Sequence, residues 1–235
     1  MKRAEPAVLE TVGRDLRAPR AAGVAGLAFA VLFIGSLLLL RSQPGAGSTA
    51  NEVATWYLHR SGKVGIVGLY LAPFAGIAIL WFVAVIRNRI GGWEDQFFAT
   101  VFLGSGILFV AMLFAAAAAA GAPLVAVKFQ GAPVPSPDMV VFSRGLAYTF
   151  LYIYGVRAAA VFTIVVSTIG LRTRTLPRWL VLTGYAIAVV LLLSVSLFKL
   201  LVLLFPLWVA AVSVVILLSD QGPTPPVATE AGTGP

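Results

Sequence analysis

From Trp179 to Leu218 the chain is almost continuously apolar for 40 residues. Laid out as one straight helix, this run would measure about 60 Å, roughly twice the hydrocarbon thickness of a bilayer. It cannot be a single span, so it must fold back on itself. Ser194, Ser196 and Lys199 mark the turn. They divide the run into helices over 179–197 and 200–218, with a kink expected at Pro206. If the second half is re-entrant, the count of spanning helices falls from six to five.

Four more apolar stretches precede it, over 21–40, 64–86, 97–120 and 145–171. Each is long enough to read as a transmembrane helix. Only 11% of the 235 residues are charged against 60% hydrophobic, too little charge to coat a soluble domain of this length. The fold class that follows is all-α, a polytopic transmembrane bundle of six helices. The first run exceeds the core of a cleaved signal peptide and reads as a span. Its Ala22, Gly26 and Ala30 recur every fourth residue, a spacing that permits close helix packing. Pro73 falls inside the second run and predicts a kink.

The connections carry most of the charge. Residues 1–20 form a basic tail, read either as a short interfacial helix or as disordered chain. In the loop after the first helix, Thr49 and Glu52 fit a capping box, followed by a surface helix with Trp56 and Tyr57 at the interface. Glu94 and Asp95 precede the third helix, where carboxylates complement a helix N-terminus. Residues 121–143 hold Pro123, Pro133, Pro135 and Pro137 and are expected to be irregular, with a brief extended piece over 124–129. Residues 219–235 are rich in Pro, Gly and Thr and are expected to be disordered.

The net charge of +8 would suggest nucleic acid in a soluble protein. Here the basic residues sit between apolar segments, so they report topology, and no nucleic-acid partner is expected. With six helices, one side collects 10 Lys and Arg and the other 6, which places both termini in the cytoplasm. The partners implied are the lipid bilayer, an anionic lipid or solute, and a second copy or another membrane protein.

One charge lies inside a span. Arg157 is 13 residues from Arg144 and 15 from Arg172, about 20 Å from either along a helix. An arginine at that depth costs roughly 2.5–3.5 kcal/mol on insertion scales, so it is expected to face the bundle interior or a wet cavity. All nine acids lie in tails or loops, so no helix-interior carboxylate can neutralise it. It must bond hydroxyls, water, an external anion, or carbonyls, for which the Pro73 and Pro206 helices are candidates. Helical spacing places Phe150, Tyr154, Val161, Ile164 and Thr168 on its face, with Tyr154 and Thr168 as the polar members. Arg157, Tyr154 and Thr168 are therefore the candidate contacts for an anion or lipid headgroup. The alternative is an arginine that ties helices together. Tyr148, Tyr152 and Tyr154 either line a cavity or anchor the interface.

The chain has no cysteine and no intramembrane carboxylate, so its single histidine, His59, cannot assemble a three-ligand metal site from ordinary ligands. No phosphate loop, HExxH, GxSxG or paired intramembrane acid is present. No cofactor and no catalytic residue are expected.

The segments YGVRAAAVF and LPRWL, within residues 55–218, resemble a family of bacterial integral membrane proteins of unknown function. That family has about six helices and occurs in GC-rich, actinobacterial-type genomes. The resemblance implies a bacterial membrane location. It implies no activity and no site residue.

Overall fold

The computed structural model describes residues 18–41, 43–45, 47–90, 96–193 and 200–219. Among these the regular structure is helical throughout, with no strand. In chain order the helices are α1 Ala18–Leu40, α2 Ala50–Thr55, α3 Ser61–Ile90, α4 Gln96–Phe129, α5 Pro137–Tyr148, α6 Val156–Thr173, α7 Arg178–Leu193 and α8 Leu204–Ser219. Two π-helical stretches, Trp56–Arg60 and Thr149–Gly155, carry α2 into α3 and α5 into α6. A 3-10 turn, Leu201–Leu203, leads into α8. The expected tail conformations, the Glu94–Asp95 cap and the turn at Ser194, Ser196 and Lys199 fall outside the described residues.

Five segments are apolar and long enough to cross a membrane: Arg20–Leu40, Gly68–Arg87, Phe97–Phe129, Pro137–Thr173 and Leu201–Ser219. Helix α7, at 16 residues, is shorter. Their outward faces carry large apolar side chains such as Val31, Trp81, Leu182 and Leu193. Lipid chains solvate such a surface at no cost, whereas water would not.

The core is built on phenyl rings. Phe29 of α1, Phe109 of α4, Phe162 of α6 and Phe205 of α8 are all buried and meet edge to face. Their centroid separations of 4.8–6.0 Å suit the ring quadrupoles. Around this cluster the small residues act as the sequence spacing requires. Ala22, Gly26 and Ala30 are buried, and a methyl group on Gly26 would run into Phe82 of α3 and Ser213 of α8. The stripe thus lets two helices approach α1 at once. Ser36 adds a polar tie, donating to the carbonyl of Gly68 at 2.9 Å.

Residues 121–143 differ from the expectation. Helix α4 runs through Pro123 to Phe129, and α5 begins at Pro137. Pro123 lacks the N–H that would bond the carbonyl of Ala119, and that vacancy normally ends a helix. The Ser143 hydroxyl of α5 donates to the Ala119 carbonyl at 2.6 Å. The freed carbonyl is therefore satisfied from outside, and the helix continues. The alanine run beside it, small enough to admit α5, makes this reach feasible. Pro137 starts a helix because it stands in the first turn, where no N–H is needed, behind the Ser136 cap. Pro206 stands in a first turn as well, because α8 begins at Leu204, directly after the 3-10 turn Leu201–Leu203. Pro73 is inside α3, as its position in the apolar run required. The capping box at Thr49 and Glu52 is formed in both directions.

The end of α4 and the start of α5 join the segment after α2 in a second, smaller core. Val53, Trp56, Tyr57, Leu124 and Val140 are buried together there. Burial pushes the Tyr57 phenol above its ordinary value, and the nearby Arg144 charge pulls it back in part.

Helix α7 runs back along α6. Thr168 and Tyr185 share a hydrogen bond of 2.8 Å, and a methyl on Gly184 would meet Ser167 and the Trp208 ring. Counting eight residues on from Tyr185, Leu193 stands about level with Ala160, roughly 24 Å short of Arg144. Helix α8 takes up near the same depth, because Phe205 in its first turn meets Phe29, Phe109 and Phe162. Its far end returns to the start of α1, where Leu217 packs against Gly23. The start of α7 and the end of α8 thus lie on the side where α1 begins.

Candidate functional site

The π-helical stretch Thr149–Gly155 sets the geometry around Arg157. Within it the Val156 N–H bonds the carbonyl of Leu151, five residues back rather than four. The turn is wider, and side chains on either side of it are rotated relative to an unbroken α-helix. Two residues past the stretch, Arg157 bends back, and its Nη1 donates to the carbonyl of Ile153 at 2.6 Å. The bond is made within its own helix. The Pro73 and Pro206 helices, candidates for a carbonyl, do not supply the one it uses.

Arg157 is half-buried in a groove of about 700 Å³ between α4 and the α5–α6 helix. Gly104, Leu108, Met112, Phe150 and Tyr154 line it beside Arg157. This is an open, apolar trough, where the bundle interior or a wet cavity was expected. Tyr154 shares the groove, as helical spacing indicated, and is 55% exposed. Thr168 does not join it. That residue lies about 16 Å further along the helix, where its hydroxyl donates to the Ile164 carbonyl and pairs with Tyr185 of α7. The three sequence candidates therefore form one pair and one separate interhelical tie.

His59 bonds the Thr55 carbonyl within its own helical turn at 3.3 Å. Among the described residues, no group of three or more His, Asp and Glu side chains could hold a metal.

The structure assembles a different polar constellation that sequence reading did not single out. Arg41, one residue past α1, and Arg144 of α5 line one cavity with Gln43, Tyr148 and Tyr152. The cavity measures about 360 Å³. Arg144 Nη1 donates to the Gln43 carbonyl at 3.0 Å, tying the loop after α1 to α5. The Tyr148 and Tyr152 rings stack 4.5 Å apart, 12° from parallel. They stand four residues apart, which places them on one helix face. The only sequence signals were the tyrosine cluster and two arginines 103 residues apart, which nothing local connects.

The fold and these surfaces define an all-α polytopic membrane bundle. No family model, curated protein or solved structure matches the chain.

Proposed function

We propose that this chain is a non-enzymatic, multi-pass protein of a bacterial cytoplasmic membrane, with both termini in the cytoplasm and a structural or interaction role. Arg157 in this reading serves the helix it stands on and contacts no substrate. The observation that carries it is the bond from Arg157 to Ile153, which gives the guanidinium a partner on its own helix in a groove with an apolar lining. Replacing Arg157 by leucine removes one local hydrogen bond, worth about 1 kcal/mol, and also removes a partly desolvated charge. The two effects oppose each other. Arg157→Leu is expected to reach wild-type abundance and to unfold in detergent within about 1 kcal/mol of wild type. A folded Arg157→Leu protein that has lost a specific anionic ligand would overturn this role.

The orientation rests on the excess of Lys and Arg beside the tails. The absence of native cysteine makes the test clean. Gln130→Cys is expected to react with an impermeant maleimide on intact cells. Thr175→Cys, at the opposite end of the α5–α6 helix, should react only after the membrane is opened. The reverse pattern would invert the topology.

A further inference from the structure

We propose that the cavity between α1, α4 and α5 binds a phosphate-bearing ligand through Arg41, Arg144 and the side-chain amide of Gln43. Three observations converge on it. The first is charge. Two guanidinium groups line the cavity and no carboxylate does, so the site holds positive charge without an internal counter-ion. Guanidinium forks match phosphate oxygens in geometry and are more weakly hydrated than ammonium groups.

The second is an unmet donor. Gln43 is 7% exposed, and its Nε2 has no hydrogen-bond partner among the described residues. A buried amide left unpaired is costly, so a fold that keeps one there holds it ready for an acceptor. Its backbone carbonyl is already committed to Arg144, which orients the loop toward the cavity.

The third is depth. Arg144 and Arg172 lie 28 residues apart on one nearly continuous helix. That is about 42 Å, the thickness of a bilayer with its headgroups. With Arg172 at one surface, Arg144 stands at the phosphate level of the other. Arg41, at the end of the α1 span, lies at the same end of the bundle. Leu37, Leu40 and Leu151 line the same cavity and offer an apolar wall to the rest of an amphiphile. A phosphate at this height can belong to a lipid headgroup or to a free phosphate compound, and the chemistry that binds it is the same.

The test uses the full-length protein in maltoside micelles, which carry no phosphate. One arm titrates inorganic phosphate; the other adds phosphatidylglycerol. Thermal midpoint is the readout, with retained lipid counted by native mass spectrometry after detergent extraction. Wild type is expected to gain stability with phosphatidylglycerol, with phosphate, or with both. A response to phosphatidylglycerol alone identifies a lipid ligand, and a response to phosphate alone identifies a free one; either supports the site. Arg41→Gln and Gln43→Ala are each expected to weaken binding at least tenfold. Arg87→Gln, an exposed arginine at the opposite end of the bundle, should bind like wild type. Arg144→Gln is less informative alone, since it also releases the loop. Gln43→Ala keeps the carbonyl that Arg144 uses, so it separates binding from folding. The proposal is overturned if neither probe stabilises wild type, or if Arg41→Gln and Gln43→Ala bind as tightly as wild type.

Discussion

Replacing Phe109 by alanine is expected to destabilise the bundle by about 3 kcal/mol, measured by reversible unfolding in mixed detergent micelles. Phe109 is 2% exposed and its ring contacts Phe29, Phe33 and Phe205. In water such a truncation forfeits both the transfer of apolar surface and the packing of the ring. In lipid the transfer part falls away, because acyl chains are as apolar as the core. The dispersion contacts remain at stake, since lipid cannot enter the cavity left between α1, α4 and α8. Phe109→Leu should recover much of the loss, because it refills the volume without the ring geometry. Equal stability of Phe109→Ala and wild type would mean that the phenyl cluster does not hold these helices together.

Ser143→Ala is expected to cost about 1–3 kcal/mol, and the loss should depend on Pro123. The serine hydroxyl satisfies the Ala119 carbonyl that the proline leaves open. With the hydroxyl gone, that carbonyl faces apolar neighbours unpaired. In a Pro123→Ala background the alanine N–H can close the helix bond itself, so Ser143→Ala should then cost little. The coupling in this double-mutant cycle should approach the whole single-mutant effect. Independent, additive losses would show that Ser143 stabilises α5 by some other route.

The helical spans themselves could be read from the chain, because lipid removes the alternatives. A long apolar run in a bilayer must satisfy its own backbone, and a helix does so locally. The capping box at Thr49 and the small-residue stripe of α1 were equally legible, since both depend on residues within one or two turns. The prolines were less so. Pro123, Pro137 and Pro206 look alike in sequence as helix breakers. One is bridged by a serine twenty residues away, and two stand in first turns where no donor is missing. The candidate site divides in the same way. Tyr154 joined Arg157 because both answer to the period of one helix. Thr168 lies on that face too, but α7 covers it at that depth.

Thus the sequence by itself determined the all-α class, the approximate spans and the presence of a charged residue within one of them. Each follows from local hydrogen bonding and from the cost of placing charge in hydrocarbon. Only the tertiary structure decided where Arg157 points and which helix covers Thr168. It alone brought Arg41, Gln43 and Arg144 to one cavity. Those outcomes depend on which carbonyl a distant hydroxyl reaches and which helix packs on which face, and no local pattern records them.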